Sequence, residues 1–149
     1  MRAVIQRTDK ASVTVEKQLI AQVGNSLTVL LGISSDDTEL DSRYLAEKIV
    51  NLRIFSDTAG KMNLSLLDVA GELLVVSQFT LMGDCRKGRR PSFAAAADPE
   101  VAKKLYLTFI HFCEEFGVRV SHGQFQAEMI VRLDNHGPVT ILLDSKRNF

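Results

Sequence analysis

One stretch limits what this chain can fold into more than any other: Glu72 to Met82, reading ELLVVSQFTLM. Leu73, Leu74, Val75 and Val76 form an unbroken apolar run that includes β-branched residues. A strand of that kind has no solvent face, so it belongs inside a sheet covered on both sides. Ser77, Gln78 and Thr80 then alternate with Phe79 and Leu81. The spacing predicts a central strand that continues to Met82, apolar at its root, with hydroxyl and amide groups at its tip, and broken by Gly83 and Asp84. A hydroxyl at a strand end usually meets only solvent, and without a base beside it such a group is rarely a nucleophile.

A chain of 149 residues is long enough to bury one real core. Its 18 Lys and Arg balance its 18 Asp and Glu, so contact with nucleic acid requires local clustering of charge. Cys85 and Cys113 are too few and too far apart for a metal knuckle or a disulfide framework. No apolar run approaches the roughly 20 residues that span a bilayer, and Met1 to Arg7 has no signal-peptide core. The expectation is a reduced, cytoplasmic protein with no cofactor, no metal and no membrane contact.

In chain order, Met1 to Thr8 reads as a first strand, and Ala11–Val15 with Leu19–Val23 as a hairpin around Glu16-Lys17-Gln18. Leu27 to Ile33 is a further apolar strand. Thr38-Glu39-Leu40-Asp41 resembles a capping box opening a helix to about Asn51, with Leu40, Tyr44, Leu45, Ile49 and Leu52 on its buried face. Arg53–Phe55 reads as a short strand, and Lys61 to Leu64 leads on through Gly71 to the central strand. Asp98-Pro99-Glu100 opens a second helix. Val101, Leu105, Thr108, Phe109, Phe112 and Phe116 form its predicted stripe, and Gly117 its left-handed end. After a short strand at Val118–His122, alternation from Phe125 to Asp134 predicts a long half-buried strand. Asn135-His136-Gly137-Pro138 interrupts it, and Val139–Leu143 is the last strand. With no repeats and no linker, the pattern is a single α+β domain over residues 1–149, with a mostly antiparallel sheet and two main helices.

Cys85 to Pro91, CRKGRRP, is the dense basic run. Arg86, Lys87, Arg89 and Arg90 around one glycine suit contacts with phosphates, although basic loops are also common solvated surface.

SQFTL at Ser77–Leu81 together with NHGPVT at Asn135–Thr140 resembles the D-aminoacyl-tRNA deacylases, the D-tyrosyl-tRNA deacylase family. Ile5-Gln6-Arg7 with Ala11-Ser12-Val13, Arg53-Ile54-Phe55-Ser56-Asp57, Gly60-Lys61-Met62-Asn63-Leu64 and Arg90-Pro91-Ser92-Phe93 extend the likeness through the chain in order. The resemblance implies a homodimer with the D-tyrosyl-tRNA deacylase-like fold. It implies hydrolysis of the ester between a D-amino acid, D-Tyr and others, and the 3′ end of tRNA, with glycyl-tRNA as a secondary substrate. Gly137-Pro138 would form a cis peptide that enters the partner's site, its carbonyls fixing the substrate's amino group while Arg7 locks the loop. Ser77 and Gln78 would hold the terminal adenosine. Backbone N–H groups near Phe79 and Thr80 would receive the oxyanion, with water rather than Thr80 attacking. Arg86, Lys87, Arg89 and Arg90 would meet tRNA phosphates. Two departures stand out: His136 where the family commonly has Asp, and Asp9-Lys10 after Arg7. The rival readings are a non-catalytic tRNA-binding dimer of editing-like fold and a small-molecule hydrolase.

Overall fold

The computed structural model describes residues 1–149. Eight strands and two α-helices follow the chain as β1 (Arg2–Val15), β2 (Gln18–Val23), β3 (Ser26–Gly32), α1 (Glu39–Val50), β4 (Phe55–Ser56), β5 (Met62–Leu64), β6 (Glu72–Ser77), α2 (Pro99–Glu115), β7 (Arg119–His122) and β8 (Ile130–Asp144). The two segments predicted as separate strands at the N-terminus are one long β1. Its first half pairs with β3 and its second half with β2, while β8 follows it on the other edge. Glu16 and Lys17, both at positive φ, make the turn into β2.

These pairings around β1 are antiparallel, so the main sheet is mostly antiparallel as the sequence suggested, but β3–β6 and β6–β7 are parallel. The reason is the route of the chain. α1 carries it from β3 back to the start of β6, and α2 from β6 to the start of β7, and each such crossover sets neighbouring strands parallel. β6 is buried on both faces, as its apolar run required. Leu73 and Val75 join the core beneath the helices, with Ile5, Val29, Leu45, Ile49, Tyr106 and Phe109. Leu74 and Val76 face the opposite way, against Ala11, Val13, Ala21 and Val23 from the folded-over halves of β1 and β2.

Further expectations need correction. The central strand stops at Ser77, and Phe79–Met82 is a single turn of 3₁₀ helix. On α1, Leu40 is 77% exposed, because the buried stripe runs through Asp41, Ser42, Leu45, Ala46, Ile49 and Val50 and leaves Leu40 on the flank. On α2, Val101 and Phe116 are exposed at the two ends, while Tyr106, Ile110 and Cys113 share the inner face with Leu105, Phe109 and Phe112. The last long strand begins at Ile130 rather than Phe125, since Gln126 takes a positive φ and Ala127 N–H donates back to the Gln124 carbonyl at 3.3 Å. It then runs through Asn135–Pro138 to Asp144 as one strand with an excursion, where the sequence suggested two strands. Neither helix is long and apolar enough to cross a membrane.

Candidate active site

The strand-to-turn junction after β6 is shaped from behind. Gln78 N–H donates to the Leu31 carbonyl at 2.8 Å, which ties the end of β6 to the end of β3. At Gly32 an added Cβ would lie 2.9 Å from both the Gln78 carbonyl and Leu81 Cβ. Only a residue without a side chain lets the turn sit this close. The 3₁₀ turn closes through Leu81 N–H to the Gln78 carbonyl at 3.2 Å and Gly83 N–H to the Thr80 carbonyl at 3.0 Å. Because the turn starts at Phe79, the N–H groups of Phe79 and Thr80 have no carbonyl partner inside it. Arg2 Nη1 fastens the far end by donating to the Leu81 carbonyl at 3.0 Å.

Ser77, Gln78 and Phe79 line a cavity of about 660 Å³, walled mainly by Leu31, Ile33, Val76, Ala97, Ala102, Phe125, Met129 and Val131. Thr80 is exposed and does not line it. The Thr80 hydroxyl accepts a hydrogen bond from the Gln78 amide, and no histidine or carboxylate hydrogen-bonds to it. His111 sits exposed on α2, His122 at the end of β7 and His136 on β8, so no imidazole serves Thr80 as a base. No group of three His, Cys, Asp or Glu side chains gathers in metal-binding geometry.

The Gly-Pro motif lies on β8, outside that cavity. Gln6 pairs with Thr140 and Thr8 with Asn135, so Arg7 alone stands opposite the four residues His136 to Val139. The Gly137–Pro138 peptide is cis, and Gly137 has φ +122°, which L side chains rarely adopt. A Cβ there would also come within 2.8 Å of Arg7 Nη2 and 2.9 Å of Val139 Cγ2. The Arg7 guanidinium, 9% exposed, donates from Nη1 to the Ile54 carbonyl at 2.6 Å and from Nη2 and Nε to the His136 carbonyl at 3.2 and 3.3 Å. Val139 N–H donates to Asn135 Oδ1 at 3.2 Å, closing the excursion from the other end. The chain therefore gathers Ser77 to Thr80 in one place and Arg7, Gly137 and Pro138 in another.

The basic arm is anchored beside the first of these places. Asp84 and Ser92 exchange backbone hydrogen bonds of 2.8 and 3.0 Å at its base, and Phe93 packs edge-on against Phe79 with ring centroids 5.0 Å apart. Arg86, although exposed, is paired with Asp84, donating from Nε at 2.9 Å and Nη2 at 2.7 Å. That pairing holds the Asp84 carboxyl well below the usual carboxylate range. Lys87, Arg89 and Arg90 are exposed and carry no carboxylate partner, so three of the four predicted cations are free.

Comparison with known proteins fits this geometry. The model of the D-Tyr-tRNA(Tyr) deacylase family matches residues 4–144. The chain belongs to the D-Tyr-tRNA(Tyr) deacylase family. It is 59% identical to the D-aminoacyl-tRNA deacylase of Thermosipho africanus and 57% identical to that of Clostridioides difficile, in each case over 149 residues and 100% of both chains. Among solved structures, it matches the c-Myc DNA unwinding element binding protein with a TM-score of 0.91 at 41% identity, covering 97% of this chain and 98% of that one. A probable eukaryotic D-amino acid tRNA deacylase, 20% identical with a TM-score of 0.81, shares the fold over 95% of this chain and 97% of that one. As a family member the chain is a hydrolase of the deacylase type.

Sequence reasoning missed what supports these two places. Gly32, the Ile54 carbonyl, Arg2, Phe93 and the Phe125–Met129 segment all act through contacts distant in sequence. Only Gly32 left a local signal, as a lone glycine closing an apolar strand, where a close backbone approach is one ordinary cause.

Proposed function

We propose that the chain hydrolyses the ester joining a D-amino acid to the 3′ end of tRNA, with D-tyrosyl-tRNA and other D-aminoacyl-tRNAs as substrates and glycyl-tRNA as a secondary one. It would thereby keep D-residues out of translation. One observation carries the reading: a family member holds a mostly apolar cavity edged by Ser77, Gln78 and Phe79, beside free turn N–H groups and with no nucleophile–base pair. That arrangement suits an activated ester. The cavity takes the terminal adenosine, with Ser77 and Gln78 at its polar edge. The N–H groups of Phe79 and Thr80 receive the developing oxyanion, and one such preorganised donor contributes about 3 kcal/mol. Water attacks, assisted by the ribose 2′-hydroxyl that only RNA supplies.

Chirality is sorted by exclusion. The carbonyls of Gly137 and Pro138 fix the α-amino group, so a D side chain points outward while an L side chain drives its Cβ into backbone. Glycine has no Cβ and escapes the sieve. Because Gly137 and Pro138 lie outside the cavity of their own protomer, they serve that of a partner copy in a homodimer. The outer edge of β8, unpaired along a 15-residue strand, suits such an assembly. Lys87, Arg89 and Arg90 meet phosphates of the acceptor arm.

The test is ester loss from D-tyrosyl-tRNA and L-tyrosyl-tRNA incubated with pure protein. Rapid loss of the D form alone is expected. Equal rates would remove the chiral selectivity from the reading, and no loss of either ester would favour a tRNA-binding protein without catalysis.

A further inference from the structure

The loop that carries Gly137 and Pro138 is held at its entry through one residue, His136, from two directions. Its carbonyl receives the Arg7 guanidinium at 3.2 and 3.3 Å. Its imidazole Nδ1 lies 2.7 Å from Asp9 Oδ1. Both partners come from β1, and they flank Thr8, the residue where β1 regains its pairing with β8. Arg7 is buried and hydrogen-bonded at both ends of its guanidinium. The imidazole–carboxylate contact is exposed, with 58% and 62% of the two side chains accessible.

We propose that His136 is a positioning residue for the Gly-Pro loop, its imidazole bonded to Asp9 forming a second latch. The inference rests on the deacylase reading, since it concerns the loop that would fix the substrate's amino group. The nearest charged groups on β1 are the Asp9 carboxylate, bonded to the ring, and the Arg7 guanidinium, bonded to the His136 carbonyl, with Lys10 next in sequence; on β8, Asp134 is exposed two residues away. An imidazole N–H that donates to the Asp9 carboxylate makes a charge-assisted bond. The latch acts on the carbonyls that bind the amino group, so its loss raises KM and leaves kcat nearly unchanged. An exposed pair of this kind is expected to change KM by about two- to fivefold.

The experiment is steady-state hydrolysis of D-tyrosyl-tRNA by the full chain and by His136→Asn, His136→Lys, Asp9→Asn and the His136→Asn/Asp9→Asn double variant. KM should rise by about two- to fivefold in His136→Asn and in Asp9→Asn, with kcat nearly unchanged. His136→Lys keeps a donor opposite Asp9 and should hold the wild-type value. The double variant should raise KM no further than either single change, as a shared contact requires. A KM unchanged in His136→Asn, a lysine variant that behaves like asparagine, or additive effects in the double variant would overturn the assignment and leave the deacylase reading intact. A wild type unable to cleave D-tyrosyl-tRNA would end both.

Discussion

The turn after β6 and the excursion on β8 are both parts of the candidate site, yet they are held by different forces. Phe79–Met82 is seated mainly by packing: it lies so close to Gly32 that an added Cβ would meet it at 2.9 Å, an apolar strand buried on both faces stands behind it, and Arg2 adds a hydrogen bond to the Leu81 carbonyl. His136–Val139 is held by polar contacts from Arg7, Asp9 and Asn135, and all four of its residues remain at least partly accessible. The turn should therefore answer to changes of volume and the loop to changes of charge and hydrogen bonding. Position and selectivity become separable.

The largest effect should come from Gly32→Val. Its Cβ would meet the Gln78 carbonyl and Leu81 Cβ at 2.9 Å, and neither atom is the far end of a flexible side chain. Displacing the turn by about 1 Å would lower kcat for the D-ester by about 10²-fold with the D/L ratio little changed, as single-turnover assays on both substrates would show. Arg7→Ala comes next. Hydrogen bonds from a charged group contribute about 1.5–3 kcal/mol, so the D/L ratio of kcat/KM should fall by about 10- to 100-fold while the β6 turn keeps its chemistry with glycyl-tRNA. If Arg7→Ala instead lowered all substrates equally, the division between the regions would fail.

Lys87→Ala, Arg89→Ala and Arg90→Ala should each weaken tRNA binding and reduce the salt slope by about one, leaving enantiomer preference untouched. Arg86→Ala should do less to the salt slope, because its charge is already spent on Asp84. A filter-binding series against salt separates them.

The smallest effect on activity should come from Asp41, which lies in neither region. Burial alone would raise its pKa, but donors from Ser145 at 2.7 Å, Thr38 N–H at 2.8 Å and Lys146 at 3.2 Å hold the carboxyl well below its ordinary range. A depressed pKa stabilises the fold above the unfolded value near 3.9, and that contribution is lost as pH falls below it. Asp41→Asn should thus cost about 1 kcal/mol near pH 7 through the weakened cap, a gap that narrows as pH falls from about 4 and closes only below the depressed folded-state value, as thermal melts would show. Enantiomer preference should not change.

The root of the site was legible because its cause is local. Leu73 to Val76 admit only a doubly covered strand, and Asp98-Pro99 fixes the start of α2 without help from elsewhere. The tip was not. Phe79 and Leu81 alternate with polar neighbours as a strand would, and the turn is imposed by β3 through Gly32 and Leu31. On β8 the break at Asn135–Pro138 was visible, but not that pairing with β1 resumes beyond it, because that depends on Gln6 meeting Thr140. The contact between His136 and Asp9 spans 127 positions and has no local signature at all. The cavity is likewise assembled from β3, β6, the start of α2 and the Phe125–Met129 segment, which meet only in the folded chain.

The account depends on the loop of one copy completing the site of another, and mixing two inactive proteins tests this directly. One carries Gly32→Val, which spoils the turn, and the other Gly137→Ala, which spoils the loop. Unfolded and refolded together in equal amounts, half the dimers are mixed, and each mixed dimer has one site with both parts intact. Recovery of about a quarter of wild-type D-tyrosyl-tRNA hydrolysis is the predicted result for a two-fold assembly. No recovery from two soluble, associating variants, or full wild-type activity in a monomer, would contradict it.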